Sequence, residues 1–209
     1  MRIGIFGGAF NPPHLGHLVC AQEAWSQLDL DRVLLVPVGE APHRNLEADA
    51  GAEARVALCE AAVAGDDRLE VSRAEVDRPG LSYTAQTLEL MSAPHDDLTL
   101  IVGADQACAL PHWHKPSEVL ARARVAVASR EGVAREAVLA RLEGLRAADG
   151  APASERLDFF DMPRIDVSSS LVRSRVASGR PIRYLVGQRV ASEIDKRALY
   201  RVAAGVSAR

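Results

Sequence analysis

The segment Gly7-Gly8-Ala9-Phe10-Asn11-Pro12-Pro13-His14-Leu15-Gly16-His17 constrains this chain more than any other stretch. An apolar run at residues 3–6 precedes it and an apolar-periodic segment follows, so it reads as strand, glycine turn and helix start. Two glycines let the backbone turn tightly and approach a ligand with no Cβ in the way. A helix opening near Leu15 aims its free N–H groups into the same space, and such a terminus is a ready anion site. His14 and His17 stand three residues apart, one helical turn, so both imidazoles project from one side of that terminus. The turn matches neither the G-x-G-x-x-G dinucleotide fingerprint nor the G-x-x-x-x-G-K-[ST] P-loop. It predicts a bound triphosphate. A metal on His14 and His17 is the weaker reading, because no Cys or carboxylate stands nearby at ligand spacing.

Beyond the turn, short β-branched runs alternate with longer helical patterns. Leu18, Ala21, Trp25 and Leu28 mark one face of a helix that ends before Asp31, and residues 33–36 form a buried strand closed by Pro37. A loop with Gly39, Pro42, His43 and Arg44 leads to a helix over 55–63, and residues 69–71 read as a more exposed strand. After the turn at Arg78-Pro79-Gly80, a helix starts at Ser82 or Tyr83-Thr84 and runs through Leu88 and Met91. Residues 98–102 are a strand ending at Gly103, and 125–128 another. Residues 135–148 read as an amphipathic helix, 157–160 as the last strand, and Ser168-Ser169-Ser170 as the opening of a helix stopped by Gly179.

Strands joined by helices imply right-handed crossovers: an α/β, Rossmann-like fold with a mostly parallel sheet and helices on both faces. The 209 residues fit one domain, 1–209, with a small C-terminal helical extension at about 168–209. In such sheets a ligand sits beyond the carboxyl ends of the strands, at the switch point. That rule gathers residues 7–17, 37–44, 103–105 and 168–173 into one crevice.

Net charge of −3 and a pI near 6.1 give no basic stripe for nucleic acid and favour a small-molecule partner. No apolar run approaches the roughly 18 residues of a membrane span. Cys20, Cys59 and Cys108 are odd in number and far apart, within apolar helix-like stretches, which predicts buried reduced thiols and a cytoplasmic protein. A homo-oligomer is compatible with this reading.

Near the C-terminus, three serines at one helix start read by themselves as an N-cap. With Arg173 one turn inside, they also make a cradle for phosphate oxygens with a bidentate donor. The G-x-F-x-P-x-H-x-G-H pattern at Gly8 to His17, joined to S-S-x-x-R at Ser169 to Arg173, resembles the HxGH-type nucleotidyltransferase superfamily. Within it the chain closely resembles bacterial nicotinate-nucleotide adenylyltransferases. Ala41-Pro42-His43-Arg44 resembles their P-P-H-[KR] loop, Ser82-Tyr83-Thr84 with Thr87-Leu88 their S-Y-T-x-x-T-L segment, and Gly103-Ala104-Asp105 their G-x-D turn. Trp113 and Leu199-Tyr200-Arg201 fall where that family has a tryptophan and its usual tail. The departures are Ala9 and Asn11, where Thr and Asp are frequent, and Ala41 and Leu81, where Pro is frequent.

The resemblance implies that nicotinate mononucleotide attacks the α-phosphorus of ATP, giving nicotinate adenine dinucleotide and pyrophosphate without a covalent enzyme intermediate. It implies His14, His17 and Arg173 as catalytic residues. ATP would lie against Gly7, Gly8, Ala9, Phe10, His14 and His17, with Gly103 and Asp105 at the adenosine and Ser168, Ser169, Ser170 and Arg173 at the departing phosphates. Mg²⁺ would be held mainly by those phosphates, with no metal ligands assigned to the protein. His43, Arg44, Tyr83, Thr84 and Trp113 would receive the mononucleotide. Three other readings stay open. Two are sibling enzymes preferring nicotinamide mononucleotide or phosphopantetheine, and the third is a nucleotide-binding regulatory module without turnover.

Overall fold

The computed structural model describes residues 1–42, 47–94, 96–129 and 135–201. In chain order it contains β1 (Arg2–Gly8), α1 (Leu15–Gln27), β2 (Arg32–Pro37), α2 (Ala52–Val63), β3 (Leu69–Val71), α3 (Thr84–Met91), β4 (Asp97–Gly103), α4 (Ala104–Ala109), α5 (Pro116–Arg122), β5 (Arg124–Ser129), α6 (Arg135–Arg141), β6 (Leu157–Asp161), α7 (Ser169–Ala177), α8 (Arg183–Val186) and α9 (Gln188–Lys196). The six strands form one sheet in the order β3-β2-β1-β4-β5-β6, and every neighbouring pair is parallel. Chain direction across the sheet reverses between β1 and β4, which puts the switch point at the carboxyl ends of those two strands.

The strand pleat sends alternate residues to opposite faces, and the core divides accordingly. Ile5, Leu100, Val102, Val125 and Val127 pack with Leu88, Leu110, Val119 and Leu120 on one face. Phe6, Val33, Leu35, Ile101 and Ala126 pack with Cys20, Ala21, Ala24, Cys59 and Val63 on the other. Helix α2 is covered twice, because Leu58 points away from the sheet into a third cluster with Val172, Ile182, Val186, Val190 and Ile194 of the C-terminal helices. Cys20 and Cys59 are buried free thiols and Cys108 is half-buried. Among the described residues no helix is long and apolar enough to cross a membrane.

Two stretches differ from the sequence expectation. The helix expected over 135–148 stops at Arg141, and the chain turns through Gly144, whose φ of 81° is left-handed. Leu142 is still buried there and Leu145 still packs on the core, so their apolar spacing reports burial rather than helix. Helix α2 also begins three residues before the expected Arg55.

Candidate active site

A cleft of about 1000 Å³ opens at the switch point. Its walls come from the end of β1 and the following turn (Gly7, Gly8, Ala9, Phe10, Asn11, His17), the end of β4 (Val102, Gly103, then Gln106), the start of α3 (Ser82, Tyr83, Thr84), Trp113 and His114, and the start of α7 (Ser169, Ser170, Arg173). Five regions separated by up to about 160 residues in the chain therefore meet in one space, as the strand-end rule requires.

The turn is shaped by packing. Phe10 is 1% exposed, and its ring meets Phe6 and His17 edge-on at 5.6 and 5.0 Å. A Cβ on Gly7 would meet nothing within 4 Å, which leaves open space over that residue. The two histidines differ in depth. His14 is the N-cap of α1 and is buried, and its ring stacks under His17 at 3.7 Å. A Cβ on Gly16 would press on the His14 ring at 3.2 Å, so a small residue between the histidines lets that ring lie flat. His17, on the following turn, forms the cleft wall. Of the two, His17 faces the cleft and His14 lies behind it.

The tautomer of His17 follows from its neighbour. The His14 backbone N–H donates to His17 Nδ1 at 3.1 Å, so a neutral His17 carries its proton on Nε2 and presents a donor. Burial, and next the His14 ring, hold the His17 pKa well below the usual imidazole range, so the ring is neutral near pH 7.

Opposite the turn, Ser168 caps α7 by accepting from the Leu171 N–H at 3.1 Å. Ser169 Oγ donates to the Pro12 carbonyl at 2.8 Å and Arg173 Nη1 to the Asn11 carbonyl at 2.9 Å, while Arg173 Nη2 donates to Ser170 Oγ at 3.2 Å. These bonds hold α7 directly against the histidine turn. Asp105 lies exposed in the first turn of α4, after the N-cap Gly103, and accepts from Gln106.

On the remaining wall Tyr83 is the N-cap of α3, and its ring lies over His114 at 4.4 Å. Trp113 packs partly against the core while lining the cleft, which distinguishes it from a free surface aromatic. His43 and Arg44 lie outside the described residues.

Several residues that sequence reading passed over hold this arrangement. Arg55, only 1% exposed, donates from Nη1 to the carbonyls of Ala9 (3.3 Å) and Val38 (2.5 Å), from Nη2 to Gly39 (3.2 Å) and from Nε to Asp49 (3.0 Å). One buried guanidinium thereby ties the histidine turn to the end of β2. Glu75 is buried in the cleft wall, accepts from Thr87 Oγ1 at 2.7 Å, and has its pKa raised by burial, against the pull of hydroxyl hydrogen bonds from Thr87 and Ser82. Ser82 Oγ in turn accepts from the Gly39 N–H, joining this wall to the Arg55 brace. The available sequence signal was an arginine and a glutamate beside apolar runs, which also describes a solvated charge.

Comparison with known proteins bears on what such a cleft does. The family model described as cytidylyltransferase-like matches residues 5–175. A probable nicotinate-nucleotide adenylyltransferase of Roseiflexus sp. (strain RS-1) is 44% identical over 204 residues, covering 95% of this chain and 98% of that protein. One of the same name from Geobacillus kaustophilus (strain HTA426) is 36% identical over 210 residues, covering 100% and 90%. Among solved structures, Plasmodium falciparum nicotinic acid mononucleotide adenylyltransferase complexed with NaAD superposes with a TM-score of 0.72 at 15% identity, over 95% of this chain and 97% of that one. At that identity the likeness speaks to the fold.

Proposed function

The chain belongs to the cytidylyltransferase-like family, among its nicotinate-nucleotide adenylyltransferases, and from that premise we propose that the switch-point cleft is where ATP and nicotinate mononucleotide react. The 5′-phosphate oxygen of the mononucleotide attacks the α-phosphorus of ATP. The bond from that phosphorus to the β-phosphate bridging oxygen breaks, and nicotinate adenine dinucleotide and pyrophosphate leave. The attacking phosphate is already charged, so no proton has to be removed, and positioning with charge stabilisation supplies the rate.

The observation that carries this reading is the pairing of a neutral Nε2–H donor on His17 with the Arg173 guanidinium across one narrow turn. His17 donates to an α-phosphate oxygen as transfer charge develops, and His14 fixes its tautomer and backs its ring. Arg173, with Ser169 and Ser170, takes the departing β and γ phosphates, using N–H groups left over from its bonds to Asn11 and Ser170. Gly7, Gly8 and the first turn of α1 admit the triphosphate, and Gly103 and Asp105 receive the adenosine. On the far wall, the N–H groups at the start of α3 that have no intrahelical acceptor meet the nicotinate carboxylate, and Trp113 offers its face to the pyridine ring.

Among the described residues no group of three or more His, Cys, Asp or Glu could hold a metal ion. The Mg²⁺ would be carried in on the triphosphate and completed by water, and would supply charge neutralisation at the phosphates. With soluble substrates and free thiols, the reaction belongs in the cytoplasm.

The test is pyrophosphate release from Mg·ATP with nicotinate mononucleotide, nicotinamide mononucleotide and phosphopantetheine offered in parallel. Release fastest with the acid mononucleotide is expected. Release with phosphopantetheine alone would reassign the acceptor, and release with none would leave a nucleotide-binding module.

A further inference from the structure

Phe10 and Asn11 sit in a turn that needs outside support. Phe10 has a φ of 46°, a left-handed conformation that side-chain-bearing residues seldom adopt and that persists where the surroundings over-determine it. The next residue, Asn11, is 2% exposed and uses the whole hydrogen-bonding capacity of its amide. Its Nδ2 donates to the carbonyls of Glu47 (3.1 Å) and Ala48 (3.3 Å). Its Oδ1 accepts from the Ala50 N–H (3.2 Å) and from the Tyr200 hydroxyl (2.7 Å), which lies 189 residues away in sequence. Its backbone carbonyl is the same one that receives Arg173 Nη1.

Tyr200 follows α9 with a φ of 61°, and its ring packs against the C-terminal cluster that includes Leu58 and Val172. Burial pushes its phenol above the ordinary range, so it remains a donor at working pH. The hydroxyl therefore links the packed C-terminal helices to the residue that orients the arginine.

We infer that Asn11 and Tyr200 are a positioning pair: the Tyr200 hydroxyl, acting through the Asn11 amide, holds the histidine turn and Arg173 in the geometry that receives the departing pyrophosphate. This rests on the proposed adenylyl transfer. Neither residue needs to touch the reacting atoms. The pair acts on the transition state because Arg173 must meet charge that grows on the leaving oxygens, and a looser turn costs more there than in the ground state.

Tyr200→Phe keeps the ring and deletes one O–H, and Asn11 Oδ1 keeps its bond from Ala50. Pyrophosphate release should show kcat lowered about fivefold, with KM for the mononucleotide changed by less than about twofold and Tm nearly unchanged. In an Asn11→Ala background the same change should have no further effect on kcat, because the contact is already gone. An unchanged kcat in Tyr200→Phe, with or without a lowered Tm, would overturn the pairing and leave Tyr200 a packing residue. So would a full additive loss in the double variant. Wild-type turnover, measured alongside, separates the two ideas: its absence would remove the proposed reaction and the pair's role together, whereas its presence with an unaffected Tyr200→Phe overturns the pair alone.

Discussion

Replacing His17 by Ala separates what that ring does for the fold from what it does for the chemistry. On the structural side the variant loses edge contact with Phe10 at 5.0 Å, the stack on His14 at 3.7 Å and the acceptor for the His14 N–H. Two aromatic contacts worth about 0.5–1.5 kcal/mol each and one hydrogen bond of about 1 kcal/mol put the loss near 2–4 kcal/mol, which an ordinary domain survives. On the chemical side it loses the Nε2–H that we propose donates to the α-phosphate, and one lost transition-state donor costs about 10² to 10³ in kcat. The assay is pyrophosphate release at saturating ATP and nicotinate mononucleotide, with urea unfolding and ATP titration on the same preparation. The expected result is a folded protein that binds ATP weakly and turns over at least about 10²-fold more slowly. A kcat within about threefold of wild type would take His17 out of the mechanism. The pH dependence of stability gives a second readout. The folded-state pKa of His17 is pushed down to about 3, below its value in the unfolded chain near 6.5, so the unfolded state takes up the proton first. Its contribution is present above that unfolded value and is lost as pH falls through the window toward the folded one. His17→Gln should flatten that part of the curve, and an unchanged slope would contradict the assigned neutral ring.

Arg55→Lys retains the charge but cannot serve three carbonyls and Asp49 from one ammonium, so stability should fall by about 2 kcal/mol in urea unfolding. KM should rise for both substrates, since the histidine turn and the end of β2 come apart together. Gly39→Ala would drive its Cβ into the Glu75 backbone carbonyl, which cannot move aside as a flexible side chain does. A destabilisation of at least about 2 kcal/mol is expected, with KM for the mononucleotide raised more than KM for ATP, and thermal unfolding with steady-state kinetics checks both.

The strands β1, β2 and β4 were legible as short apolar runs closed by Gly or Pro, and part of the cleft lining was legible from residues at fixed local spacing, His17 and Ser169 with Arg173. Helical periodicity misled at Leu142 and Leu145: the helix has ended at Arg141, yet Leu142 is buried and Leu145, just past the turn at Gly144, packs partly buried on the core. The spacing of four among Ile182, Val186, Val190 and Ile194 was a usable signal for the C-terminal helices, interrupted by Gly187 at φ 85°. The braces were not legible. Arg55 reaches Ala9 across 46 residues and Tyr200 reaches Asn11 across 189, and a buried polar side chain is spelled the same way as a solvated one. Asn11 was visible only as a departure from a family's usual Asp, and its role emerges once its amide is seen between the Glu47 and Ala48 carbonyls and the Tyr200 hydroxyl.

The central claim is a single displacement at the α-phosphorus, driven by positioning, with no group of the chain becoming covalently attached. The stereochemical course with ATP made chiral by one sulfur at the α-phosphorus tests it directly. One in-line attack by the mononucleotide phosphate predicts a dinucleotide of inverted configuration. Retention would mean two displacements through an adenylylated side chain, and would contradict the account.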